Sequence, residues 1–179
     1  MTKINFPALS EQFRLERLSH PGRKVRIVID TDTFNEIDDQ FAVVYALKSS
    51  DAMHVEALYA APFHNEKSAG PEDGMEKSFQ ELIKIRSLLG RDELPVYRGS
   101  TRYLPQKDEP VESEAAHDLV KRAMASDPTD PLYIVAIGAI TNVASALLIE
   151  PRIIERIVLV WLGGNAMHWP DTREFNLQQ

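Results

Sequence analysis

Short apolar runs alternate along the chain with longer stretches whose apolar residues recur at helical spacing. Val25 to Ile29 is β-branched at every position but Arg26, the pattern of a strand buried on both faces. The same reading gives strands at 54–61, 94–100, 131–137 and 156–162. Between them, helices are predicted over 38–48, 75–89, 113–125 and 141–150. The first is expected to bury Phe41, Val44, Tyr45 and Leu47, and the second Phe79, Leu82, Ile83 and Ile85, with Gly90 just past its end. Residues 62–74 read as a long polar loop, and Thr141-Asn142 as a cap in front of its helix. Strand and helix alternate throughout, which predicts an α/β fold: an open, mostly parallel sheet flanked by helices.

The first 24 residues are polar and broken by prolines, with one short amphipathic turn at Phe13, Leu15 and Leu18. They read as an N-terminal extension, and residues 25–179 as one α/β domain without repeats or a low-complexity linker. Of the 179 residues, 44% are hydrophobic, enough for a single core. The net charge of -7 argues against nucleic acid or an anionic membrane as the main partner. Cysteine is absent, which removes disulfide and thiolate chemistry. No segment is apolar for long enough to span a bilayer, so a soluble cytoplasmic protein is the default expectation.

Chemistry concentrates where strands end. Asp30 and Asp32 follow the first strand, and Asp38 and Asp39 open the next helix. His64 and Asn65 follow the second strand, and Gly138 to Asn142 the fourth. Gly163, Gly164 and Asn165 follow the fifth, with Glu174 and Asn176 close behind. In open parallel sheets, ligands bind outside the carboxyl ends of the strands. Four aspartates this close repel one another unless a positive charge intervenes. Calcium, which takes oxygen ligands, suits that cluster better than zinc, and an aspartate beside an acidified water would serve as general base.

Four segments together carry a family resemblance. "IDTDTFNEIDDQFAVVYAL" resembles the D-x-D-P-G-x-D-D opening of the inosine-uridine preferring nucleoside hydrolases. "VAIGAITNVASAL" is similar to their G-P-L-T-N-x-A segment, and "IVLVWLGGNA" followed by "EFN" to their glycine-pair strand and E-F-N loop. "LIKIRSLLGRDELPVYRGS" is similar as well. The resemblance covers about residues 25–179 and implies a Rossmann-like core and calcium-dependent hydrolysis of the N-glycosidic bond of ribonucleosides. Carried over, Asp32 matches the general base, while Asp30, Asp32, Asp39 and the backbone carbonyl of Ile137 match the calcium site. Asp38, Asn65, Glu174 and Asn176 match residues that bind the sugar. The family's habit of assembly implies a homo-dimer or tetramer.

The departures are specific. "TFNEI" replaces Pro-Gly-x between the carboxylate pairs, two residues longer, and adds Glu36. No H-G-x-D-G segment occurs around 105–117. His168 and Trp169 are candidates to stack on a base; a loop anchor is the equal alternative for Trp169. The sequence stops at "EFNLQQ", where the family continues with another calcium ligand and a leaving-group acid, so it is expected to be the front part of a longer protein. Two other readings stay open. One is a binding-only or inactive scaffold of the same fold. The other is a haloacid-dehalogenase-type magnesium phosphatase, with Asp30 as nucleophile and Asp32 as acid/base.

Overall fold

The computed structural model of the chain describes residues 4–170 and 173–179. Its centre is a five-stranded parallel sheet: β1 (Val25–Thr31), β2 (Met53–Ala60), β3 (Val96–Tyr97), β4 (Leu132–Ala136) and β5 (Ile157–Trp161), in the order β3-β2-β1-β4-β5. The strand that ends in Asp30 and Thr31 is thus the central one. The chain steps outward from β1 to β3, then returns to pair β4 against the other side of β1. The strand order therefore reverses between β1 and β4, the place where such sheets open a crevice.

Among the described residues the helices are α1 (Glu11–Leu18), α2 (Ile37–Lys48), α3 (Pro71–Leu88), α4 (Glu114–Ala125), α5 (Thr141–Ile149) and α6 (Phe175–Gln178); a 3-10 turn spans Pro151–Glu155. Side chains alternate across each strand. Val28, Ala57, Tyr59, Leu132 and Ile134 face α4 and α5, where they pack with Leu119, Val143 and Ala146. Ile27, Ile29, Val55, Leu58 and Ala60 face α2 and α3, against Val43, Leu47, Leu82 and Ile85. The register slips once, from Ile27 opposite Val55 to Val28 opposite Ala57, leaving Glu56 as the extra residue. Glu56 bonds Arg26 at 2.5 Å and Arg122 at 3.4 Å, so the slip places a carboxylate between two guanidinium groups.

Several element predictions need correction. α2 buries Asp39, Val43, Ala46 and Leu47 and leaves Phe41 and Tyr45 about 70% exposed. The helix is apolar nearly all round, so its periodicity does not orient it; the face that carries Asp39 to the sheet is the one buried. α3 begins at Pro71, so the end of the predicted loop forms its first turn, with proline at the tolerated first position. Its far end closes as predicted: Gly90 adopts φ 64°, Gly90 N–H bonds Ser87 O and Arg91 N–H bonds Arg86 O, a Schellman turn. β3 is only two residues long, and α1 buries none of its residues; Leu15 and Leu18 are exposed. Among the described residues, no helix is long and apolar enough to cross a membrane.

Candidate active site at the crevice between β1 and β4

β1 does not stop at Ile29 but continues through Thr31, so Asp30 lies inside the sheet, opposite Tyr59 on one side and Ala136 on the other. It is fully buried. One carboxylate oxygen, Oδ1, accepts from Asn142 Nδ2 at 2.7 Å; the other, Oδ2, is buried without a partner. Burial pushes this carboxyl up to about 7, against the Asn142 hydrogen bond, which lowers it.

Asn142 is not a helix cap. It sits one residue inside α5, fully buried, and uses its amide in four directions. Besides Asp30, Nδ2 donates to Ala60 O at 3.1 Å, while Oδ1 accepts from Ser100 N at 2.7 Å and Ser100 Oγ at 2.8 Å. A single amide thus ties β1, the end of β2, the loop after β3 and α5 together. Gly99, beside Ser100, makes this approach possible: a Cβ there would lie 1.9 Å from Ala60 O.

Asp32 follows β1 and is 2% exposed. Asn35 holds it twice, donating Nδ2 to Asp32 Oδ2 at 2.9 Å and its backbone N–H to Asp32 O at 2.7 Å. Asn65 Nδ2 donates in turn to Asn35 Oδ1 at 2.7 Å, so a chain of amides runs from the end of β2 to Asp32. Burial pushes the Asp32 carboxyl up to about 6; Asn35 opposes this, and the charges of Glu36 and Asp30 add to it. Asp39 accepts from Thr31 Oγ1 at 2.5 Å. Thr31 has one proton to give, so Thr33, 3.0 Å away, is the donor to Thr31. Burial, then the charge of Asp32, pushes Asp39 up to about 7.

Each of the three carboxylates therefore has one oxygen held by a neutral donor. Among the described residues none of the three forms an ion pair, and no three acidic or histidine side chains stand ready-made as a metal cage. The donor chemistry, all oxygen and all electrostatically strained by burial, nevertheless fits a hard cation, and the unpartnered Asp30 Oδ2 is an acceptor without a donor.

The other predicted residues fall as follows. The Ile137 carbonyl accepts from Asn176 Nδ2 at 3.3 Å, and the same amide donates to Leu162 O at 2.9 Å. Glu174 caps α6: its oxygens accept from Asn176 N at 2.9 Å, Leu177 N at 2.9 Å and Gly164 N at 2.6 Å. Burial would raise its carboxyl, but these backbone donors together hold it below its usual value. Glu174 and Asn176 thus dock the last segment onto the rim, with Asn176 touching the carbonyl that the family resemblance assigns to the metal. Asp38 is exposed in the first turn of α2, and His168 and Trp169 are exposed on the loop before α6. Reasoning from the sequence missed Asn35, Thr31 and the burial of Asn142. The signal for Asn35 was its place in the lengthened turn, between the two carboxylate pairs.

Asp30, Asp32 and Asp39 are thus a buried carboxylate set at the switch point of a 3-2-1-4-5 parallel sheet. Residues 27–179 match the family model for inosine-uridine preferring nucleoside hydrolases, and the chain belongs to that family. It is 27% identical to the pyrimidine-specific ribonucleoside hydrolase RihA of Citrobacter koseri, over 78% of this chain and 49% of that protein. It is 28% identical to RihA of Klebsiella pneumoniae, over 84% of this chain and 52% of the relative. The chain thus spans about half the length of the curated relatives it matches. The fold is shared with a purine-preferring ribonucleoside hydrolase from Gardnerella vaginalis (TM-score 0.60, 24% identity, 78% of this chain and 49% of that one). It is also shared with an inosine-guanosine nucleoside hydrolase (TM-score 0.64, 21% identity, 86% and 52%). Family membership removes the support for a dehalogenase-type phosphatase.

Proposed function

We propose that this chain carries the water-activating rim of a ribonucleoside N-glycosidase. The observation that supports it best is the trio Asp30, Asp32 and Asp39, buried at the β1/β4 crevice with one oxygen of each held by a neutral donor. Asp30, Asp32, Asp39 and the Ile137 carbonyl are the groups that would hold a hard divalent cation, calcium by the resemblance. Such an ion supplies positive charge that offsets their repulsion and acidifies water.

The chain's own residues do the rest. Asp32, with its carboxyl near 6, is ionised at neutral pH and takes the proton from the attacking water. Asn35 and Asn65 keep that carboxylate in one orientation. The water oxygen bonds to C1′ of the ribose as the bond to the base nitrogen breaks; the base leaves with the bonding pair and takes up a proton. Electron-rich oxygens around the ring favour the oxocarbenium-like transition state of glycoside cleavage. Asp38 and Asn65 are assigned to the ribose hydroxyls, with Glu174 and Asn176 at the rim and His168 and Trp169 toward the base. Residues 25–179 act as one domain behind the 1–24 extension, in a cytoplasmic homo-oligomer.

Release of reducing sugar from a panel of ribonucleosides, with calcium and with chelator, tests the reading. Calcium-dependent release, lost in Asp32→Asn and in Asp39→Ala, is the expected result. Activity unchanged in both variants would overturn the assignment. One observation favours a binding-only scaffold as a second reading: Glu174 and Asn176 spend their polar atoms on backbone groups. Saturable ribose binding without sugar release would support it.

A further inference from the structure

We propose that Lys67 is a positioning residue for the water-activating carboxylate: its ammonium group clamps the carbonyl of Asn35, the residue that holds Asp32. The inference rests on the ribonucleoside reading above and adds a residue that none of the family-like motifs contains.

Asn35 is the middle residue of the lengthened turn at 33–37. It is 4% exposed, and all four of its polar atoms are engaged. Its N–H donates to Asp32 O at 2.7 Å and its Nδ2 to Asp32 Oδ2 at 2.9 Å. Its Oδ1 accepts from Asn65 Nδ2 at 2.7 Å, and its carbonyl accepts from Lys67 Nζ. Two of these bonds hold Asp32, and two tie the turn to the loop between β2 and α3.

Lys67 is itself braced. Its backbone N–H donates to Asn65 Oδ1 at 2.9 Å, so one short loop carries both groups that grip Asn35. Its carbonyl accepts from Lys77 Nζ at 2.8 Å, and Lys77 also bonds Asp73 Oδ2 at 2.6 Å. Asp73 Oδ2 accepts in addition from Ala69 N–H at 2.9 Å. Through Lys77 and Asp73, one turn apart on α3, the helix fixes the backbone from which the Lys67 side chain reaches the buried turn.

A surface lysine usually contributes little, because water competes for its ammonium group and its partner is as mobile as itself. Here the acceptor is the main chain of a buried residue, and a hydrogen bond from an ionised donor is among the stronger kinds. Lys67 fixes the Asn35 main chain while Asn65 fixes its side-chain amide. Together they leave Nδ2 one direction, toward Asp32. A general base needs that constancy, since a misplacement of about 1 Å costs on the order of a hundredfold in rate. With Asn65 still in place, loss of the lysine should cost about tenfold. Because Lys67 acts through Asn35 and not on the substrate, the loss should fall on kcat.

The test is Lys67→Met in the full chain, with kcat and KM measured for sugar release from the ribonucleoside that the wild-type protein cleaves best. Methionine keeps an unbranched stem and removes the ammonium group. kcat should fall about tenfold while KM stays within about twofold. Lys67→Arg, which donates to the same carbonyl, should recover most of kcat. In an Asn35→Ala background, Lys67→Met should change kcat by less than about twofold, because the route from the lysine to Asp32 is already cut. A wild-type kcat in Lys67→Met, a change confined to KM or to the melting temperature, no recovery in Lys67→Arg, or effects that multiply in the double variant each overturn the inference and leave the hydrolase reading standing. A wild-type protein that releases sugar from no ribonucleoside overturns the hydrolase reading, and this inference with it.

Discussion

Asn142 and Asp30, 112 residues apart in the chain, meet through a 2.7 Å hydrogen bond inside the sheet's crevice. The pairing decides what kind of site this is. A neutral amide holds the innermost carboxylate without neutralising it, so Asp30 stays available to a cation while its position is fixed.

Replacing Asn142 with alanine should destabilise the chain by about 2 to 4 kcal/mol, because it strands Asp30, Ala60 O and both Ser100 donors at once. Asn142→Asp should cost more, since it sets a second carboxylate against Asp30. Urea midpoints of the three proteins give the answer; a change under about 0.5 kcal/mol for alanine would show that the network is not what holds the crevice.

In chelator, stability should rise as pH falls. Asp30 and Asp39 titrate near 7 and Asp32 near 6 in the folded chain, against about 3.8 when unfolded. Between about 4 and 7 the folded state therefore binds more protons than the unfolded one, and stability declines through that window as pH rises. Calcium should raise the melting temperature most at the alkaline end, where all three are ionised. Melting curves from pH 4.5 to 8, with and without calcium, check both signs; a chelated chain that grows more stable toward pH 8 contradicts them.

Asn35→Ala removes the amide between Asp32 and Asn65. Turnover should drop about tenfold, and stability by about 1 to 3 kcal/mol because Asp32 Oδ2 and Asn65 Nδ2 lose their partner. Because the Asn35 bond lowers the Asp32 carboxyl, its loss should move the acid limb of the pH–rate profile to higher pH. A limb that stays in place would mean that Asn35 shapes the turn only.

Gly138→Ala places a Cβ 2.8 Å from Asp32 Oδ1, 3.0 Å from Asp32 N and 3.1 Å from Ala61 Cβ. The backbone nitrogen cannot swing away, so the clash should shift Asp32 and cost about 1 to 3 kcal/mol. Sugar release should fall further than that stability loss explains. Full activity in a folded variant would show that Asp32 tolerates displacement.

The strands, most helices and the strand-end placement of the polar residues were legible in the sequence. They depend on local periodicity and on turn residues such as Gly90. So was the family, because "IDTDTFNEIDDQ", the T-N segment and "EFN" keep their order. What local pattern does not encode is which face of an all-round apolar helix turns inward. Asp39 settled that for α2, burying Val43 and exposing Phe41. Nor does it encode partners far apart in the chain. Asn142 reads as a cap beside its helix and becomes a buried four-way amide only when β1, β2 and the loop after β3 close around it. Glu174 and Asn176 read as sugar ligands and turn to backbone groups once the last segment packs on the rim. The sequence by itself determined which residue types stand at the strand ends. Only the tertiary structure decided which of them lose water and which find donors, because desolvation and hydrogen-bond geometry depend on all the segments meeting at one place.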